Sequence, residues 1–93
     1  MATLKSQISI PEEVLFRDLD GEAVVLNLTS GKYYGLDETG TRMWTLLAQY
    51  SRIDAAFKDL LEEYEVTEDQ LRQDLLNLVD ELAAHGLLEL HEA

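Results

Sequence analysis

The chain has 93 residues, of which 46% are hydrophobic, and a formal net charge of −12 at pH 7. This length predicts a single domain, residues 1–93. Because there is no cysteine, disulfides, thiolate metal sites and cysteine nucleophiles are excluded. No apolar run approaches transmembrane length and residues 1–10 lack a signal-peptide core, which predicts a cytoplasmic protein with no membrane partner.

The acidic charge is concentrated in the second half of the chain. Residues 53–93 hold twelve acids and two bases, whereas residues 1–52 hold seven acids and five bases. Binding to nucleic acid requires clustered Lys and Arg that displace counterions from phosphates. The charge therefore argues against a nucleic-acid partner and favours a basic or neutral one.

Three antiparallel strands are predicted over residues 14–19, 23–28 and 32–36. Asp20-Gly21 is a two-residue type I′ hairpin signal, and Thr29-Ser30-Gly31 is a short loop in which Gly31 supplies a positive φ. Sequential hairpins place the middle strand in the centre of the sheet and leave residues 32–36 on an edge.

The two ends of the chain allow further short strands. Ile8 and Ile10 alternate with polar residues, so residues 1–10 either form a strand that covers the edge strand or remain a loose terminus. Residues 87–90 can close the fold as a short strand.

Three helices follow the predicted sheet. The first spans about 38–49, capped by Asp37 or Thr39, with Trp44 as a core anchor. The second begins at Ser51 or Asp54 and ends near 64. The third begins at the capping box of residues 67–70 and runs to about His85, where Gly86 ends it. The fold class is therefore α+β, a three-stranded antiparallel sheet followed by a three-helix bundle, similar to winged helix-turn-helix domains.

The sequence offers little catalytic chemistry. The only histidines, His85 and His91, lie at a helix end and in the terminal tail, and adjacent acids such as Asp80-Glu81 diverge on a helix. No phosphate-binding or nucleophile motif is present. We therefore predict no enzyme activity, no catalytic residues, no cofactor and no metal.

The stretch from residue 15 to 47 resembles the PqqD-like family, the recognition elements for precursors of ribosomally synthesised, post-translationally modified peptides (RiPPs). The family pattern is a strand, a Gly-containing turn, two aromatic residues, a Leu, a capping residue and an apolar helix with Trp. It is carried here by Leu28, Gly31, Tyr33, Tyr34, Leu36, Asp37, Gly40 and Trp44. The family's common Asn is Asp37 in this chain, which preserves the cap, and the resemblance extends over about residues 14–90.

The resemblance implies a non-catalytic module that binds the leader segment of a precursor peptide and presents it to a processing enzyme. Its partners would be that precursor and a leader peptidase or another modifying enzyme of the pathway. A lasso-peptide pathway is favoured; the alternatives are a peptide chaperone for a radical SAM enzyme in pyrroloquinoline quinone biosynthesis and a winged-helix DNA-binding regulator. A subunit that only bridges enzymes is also open.

The resemblance implies that the leader adds a strand to residues 32–36 and lies against the third helix, a mode that uses free backbone groups and side-chain pockets. Strand alternation predicts that Tyr34 and Leu36 face the core and that Tyr33 faces solvent. Leu78 and Leu82 are predicted core, with Leu71 and Leu75 as the groove floor and Arg72 and Asp74 as its polar rim. The peptide-binding residues are thus predicted to be Lys32, Tyr33, Tyr34, Gly35, Leu36, Leu71, Arg72, Asp74 and Leu75.

Overall fold

The structure is a computed structural model that describes residues 2–20 and 22–91. In chain order its elements are β1 (Gln7–Ser9), β2 (Val14–Leu19), β3 (Glu22–Asn27), β4 (Tyr33–Leu36), α1 (Glu38–Tyr50), α2 (Ile53–Glu63), α3 (Glu68–Ala84) and β5 (Glu89–His91). Strands β2, β3 and β4 form one antiparallel sheet in that order, and the three helices follow it. The predicted α+β class is confirmed.

Both hairpins follow the turn chemistry of the sequence. Leu19 pairs with Glu22, so the β2–β3 loop has two residues, and Asp20 has the positive φ of 57° that a type I′ turn requires. Gly21, the other half of that signal, lies outside the described residues. In the β3–β4 loop Gly31 has a φ of 78°, as predicted, and its N–H donates to the Asn27 carbonyl at 2.8 Å.

Asn27 fixes the β3–β4 hairpin against the end of α3. Its side-chain oxygen accepts hydrogen bonds from the N–H groups of Thr29 and Ser30 at 2.9 and 3.0 Å. Its amide nitrogen donates to the Gly86 carbonyl at 2.9 Å. Because Asn27 is buried, these bonds satisfy a polar group that would otherwise be costly to bury.

The core lies between the inner face of the sheet and the helices. Trp44 is buried, as predicted, and stacks on Phe16 of β2 with 6.0 Å between ring centroids. Buried residues of the sheet, the helices and the segment between α3 and β5 complete this core: Ala23, Val25, Leu36, Met43, Leu46, Leu47, Ile53, Ala56, Phe57, Leu60, Leu71, Leu75, Val79, Leu82, Leu87 and Leu88.

The helix boundaries differ in detail from those expected. Ser51 does not begin α2; it has a φ of 59° and ends α1 in a left-handed cap, so α2 starts at Ile53 with no side-chain cap. Thr67 caps α3, since its hydroxyl accepts a hydrogen bond from the Gln70 N–H at 3.2 Å. The Gln70 side chain donates to Asp74 instead, so only half of the predicted capping box forms.

The N-terminal segment packs away from the three-stranded sheet. β1 pairs with β5, with Gln7 opposite His91, which makes a separate two-stranded sheet. The Ala2 N–H donates to Asp80 of α3 at 2.8 Å, and the Ile8 N–H donates to the Ser51 carbonyl at 2.9 Å. Residues 2–10 therefore leave the outer edge of β4 without a neighbouring strand in the part of the chain that the structure describes.

Candidate functional site

The open edge of β4 presents its own backbone hydrogen-bonding groups to solvent. The Asn27 N–H donates to the Lys32 carbonyl at 2.8 Å, which fixes residues 27 and 32 as a hydrogen-bonded pair. Hydrogen-bonded and non-hydrogen-bonded pairs alternate along an antiparallel ladder. In the register Val25–Tyr34 and Val24–Gly35, the main-chain groups of Tyr33 and Gly35 therefore point away from β3. These are the donors and acceptors that an added strand would meet.

A groove runs beside this edge, with a volume of about 520 Å³. It lies between β4, the start of α1 and one side of α3, and we call it the edge groove. Its lining residues are Tyr34, Gly35, Leu36, Asp37, Thr39, Gly40, Met43, Asp74 and Leu78. An extended peptide paired with β4 would place every second side chain over this groove, because side chains alternate between the faces of a strand.

The junction of β4 and α1 shapes one wall of the edge groove. Asp37 caps α1, accepting a hydrogen bond from the Gly40 N–H at 2.7 Å. A Cβ at Gly40 would lie 3.2 Å from the Asp37 carboxylate and 3.3 Å from the Leu36 side chain. A side chain at position 40 would therefore crowd the helix cap, a constraint that the position in the first helical turn did not indicate.

On α3 the wall of the edge groove differs from the one predicted. Leu75 is fully buried and Leu71 is 4% exposed, so neither reaches the groove surface. Leu78, predicted to lie in the core, is half-buried and lines the groove with Asp74. Successive helical residues turn by about 100°, so Leu75 and Leu78 differ by only about 60° around the axis. A rotation of α3 by this small angle is enough to bury Leu75 in the core and to place Leu78 at the groove.

Arg72 and Asp74 do not share a rim. Residues two apart on a helix face nearly opposite directions, and Arg72 pairs with Asp69. Asp74 alone lines the edge groove, where the Gln70 side chain donates to it at 2.9 Å. Arg72 does not line the edge groove, and its i, i+2 spacing from Asp74 was a signal against a shared rim.

The strand residues lie where alternation predicts. Leu36 is buried, Tyr34 is half-buried on the same face, and Tyr33 is 67% exposed on the other. Tyr34 contacts His85 edge to face, which joins β4 to the end of α3. Lys32 is exposed and precedes β4 without lining the edge groove.

The sequence patterns did not indicate that the edge groove would include Asp37, Gly40 and Met43. Each comes to the edge groove because α1 starts directly after β4. The lack of a loop between β4 and α1 was the sequence signal that could have placed these residues beside the strand edge.

The described residues offer no metal site, since no three of His, Cys, Asp and Glu are grouped to hold an ion. Among the same residues, none of the helices is long and apolar enough to cross a bilayer.

Comparison with known proteins gives one family and two solved structures. The family model described as coenzyme PQQ synthesis protein D (PqqD) matches residues 22–88. The structure of TbiB1 in complex with the TbiA(beta) leader peptide is similar at 35% identity and a TM-score of 0.79, covering 86% of this chain and 93% of that one. A lasso peptide synthetase B1 complexed with the leader peptide matches at 24% identity and a TM-score of 0.78, covering 89% and 98%. None of the curated proteins matches.

Proposed function

The chain belongs to the PqqD family, and we propose that it is a binding module that captures the leader segment of a ribosomally synthesised precursor peptide and presents it to a processing enzyme. The observation that carries the proposal is the open edge of β4 beside the edge groove. An added strand gains ladder hydrogen bonds from the edge and side-chain contacts from the groove. The similarity to TbiB1, solved with a leader peptide, supports the same ligand class.

The geometry sorts the peptide's side chains into two sets. Those on the inner face would lie over the edge groove against Leu78 and Met43, and those on the outer face would lie beside Tyr33. The outer set stays open to a processing enzyme while the inner set is held. This division supports capture and presentation by one domain.

Two biosynthetic pathways are candidates for the one in which this domain acts. The sequence resemblance favours a lasso-peptide pathway with a leader peptidase, and a lasso peptide synthetase B1 complexed with the leader peptide shares this fold. The PqqD family model favours pyrroloquinoline quinone synthesis with a radical SAM enzyme. Adding this chain should accelerate leader cleavage by the peptidase in the first setting and peptide modification by the radical enzyme in the second.

A DNA-binding function is disfavoured by the charge of α3. That helix carries Glu68, Asp69, Asp74, Asp80 and Glu81 against one base, Arg72. A recognition helix in a DNA-binding domain needs positive charge near the phosphates of the DNA backbone.

The test separates the edge from the rest of the surface with two substitutions at one residue. Gly35→Pro removes the N–H that points away from β3, while the β3–β4 ladder keeps its donors. Gly35→Ala keeps that N–H, and a Cβ there meets no atom within 4 Å.

Peptides that bind the wild-type domain are selected from a phage-displayed random dodecapeptide library and measured by calorimetry. We expect Gly35→Pro to weaken binding by about 1–3 kcal/mol, the cost of a hydrogen bond and its neighbours left unmade, and Gly35→Ala to bind like the wild type. Equal binding by a folded Gly35→Pro variant would place the peptide elsewhere. Circular dichroism checks that both variants fold, and a mobility shift with duplex DNA tests the regulator alternative.

A further inference from the structure

Among the described residues, no basic side chain forms an ion pair with the acidic residues of the edge groove. Two of its nine lining residues, Asp37 and Asp74, are acidic, and none is basic. The ion pairs among residues 2–20 and 22–91 are Arg42–Glu63, Arg52–Asp54 and Arg72–Asp69, which leaves both groove carboxylates without a cation. A charged side chain of a bound peptide would therefore meet an unpaired acid.

The two carboxylates are not equivalent. Asp37 accepts a hydrogen bond from the Gly40 N–H at the start of α1, where the positive end of the helix dipole offsets part of its charge. Asp74 lies in the second turn of α3 and receives only the neutral amide of Gln70. Asp74 is therefore the stronger attractor for a cation in the groove.

An apolar surface lies directly beside Asp74. Leu78 is four residues further along the same side of α3, and the buried Met43 lines the groove opposite it. A Lys or Arg side chain can lay its methylene stem over Leu78 and reach the carboxylate with its charged head. A neighbouring apolar side chain, on the same face of the peptide strand, would fill the end near Tyr34 and His85.

We propose that the peptide class selected by this groove pairs one Lys or Arg, held by Asp74, with one large apolar residue two positions away. The spacing follows from the strand geometry: residues i and i+2 lie on one face, roughly 6.6 Å apart. This inference rests on the proposed function and adds a charge requirement to it. The specificity-determining residue is Asp74, with Asp37 secondary.

The experiment uses peptides from the dodecapeptide library that depend on the Gly35 N–H. Sequencing should show a base two residues from a large apolar side chain. Asp74→Asn removes the charge and leaves an acceptor for Gln70, and Asp37→Asn keeps a helix cap, because Asn caps as well as Asp. The control is Glu62→Gln, the same loss of charge on α2, which contributes no residue to the edge groove.

We expect Asp74→Asn to weaken binding about three- to five-fold, as for an exposed ion pair, and Asp37→Asn to weaken it less. Glu62→Gln should leave affinity unchanged. Replacing the peptide's base with Gln should cost the same factor in the wild type and almost nothing in Asp74→Asn, which is the signature of a direct pair.

The outcomes distinguish the two proposals. Peptides that need the Gly35 N–H but carry no base, or an equal effect of Glu62→Gln and Asp74→Asn, would overturn the charge requirement and leave the proposed function standing. If every selected peptide bound Gly35→Pro as well as the wild type, the peptide would lie elsewhere, and the strand addition to β4 on which the proposed function rests would be overturned.

Discussion

Tyr34 and His85 meet edge to face, with 5.4 Å between their ring centroids and 69° between the ring planes. The contact joins the inner face of β4 to the residue that ends α3, and it limits how far the two elements can separate. The Nδ1–H of His85 also donates a hydrogen bond to the Glu81 carbonyl at 2.8 Å, which fixes the orientation of the imidazole ring. The ring pair therefore holds Tyr34, which lines the edge groove, against the end of α3.

We expect His85→Ala to weaken peptide binding because it removes the ring that holds Tyr34 in place beside the edge groove. The loss of folding stability should be small, about 0.5–1.5 kcal/mol for an aromatic pair. His85→Phe keeps a ring and serves as the matched control. Calorimetry and urea unfolding measure the two effects, and equal affinity in the Ala and Phe variants would show that the ring pair does not shape the site.

Leu75 and Leu78 should separate folding from binding. Leu75→Ala empties a fully buried position and should cost about 2–5 kcal/mol of stability, with normal binding by the molecules that remain folded. Leu78→Ala removes part of the groove wall and should lower affinity more than stability. Thermal unfolding and calorimetry on both variants test the assignment. The reverse order would place the groove floor at Leu75 after all.

Asn27 should be the most sensitive polar residue of the hairpin. Asn27→Ala removes the acceptor for Thr29 and Ser30 and the donor to Gly86 at a buried position. The expected loss of stability is on the order of 1–3 kcal/mol. Ser30→Ala, at an exposed position of the same loop, is the control. Urea unfolding that finds the two variants equally stable would contradict this role.

The Arg42–Glu63 pair should make stability depend on pH in the acid range. Arg42 donates to both Glu63 oxygens at 2.8 and 2.7 Å, and this hydrogen bonding lowers the pKa of Glu63 below its usual 4.5. Because the folded-state pKa is the lower one, the stabilisation is complete above 4.5 and is lost as the pH falls through the lowered pKa.

Glu63→Gln should therefore lower the melting temperature slightly at neutral pH, and the gap from the wild type should close in acid. The effect is small because both side chains are exposed. Melting curves by circular dichroism across the acid range provide the measurement. A gap that stays constant with pH would show that the charge of Glu63 is not involved.

Features set by short stretches of sequence could be predicted. The two hairpins, the Thr67 cap and the Gly86 stop each depend on a few neighbouring residues, and each lies where its chemistry places it. The burial of Trp44 followed from its apolar surroundings. The resemblance added the relation of β4 to α3, which no local pattern contains.

Features set by tertiary packing could not be predicted. The apolar face of α3 is broad, so its leucine pattern does not fix the rotation of the helix about its axis. As a result Leu71 and Leu75, predicted to form the groove floor, are buried, whereas Leu78, predicted to be buried, lines the groove. The pairing of β1 with β5 joins residues 80 to 84 positions apart through three-residue strands. Such short strands are specified by what they pack on rather than by their own sequence.

The pairing of Gln7 with His91 has a consequence for engineering. Because these residues face each other across an antiparallel ladder, the start of β1 and the end of β5 lie side by side, and neither strand lines the edge groove. A domain with adjacent ends can be inserted into a loop of a host protein, or circularly permuted, without stretching its fold. Insertion through β1 and β5 would therefore join the host protein at strands that contribute no residue to the edge groove.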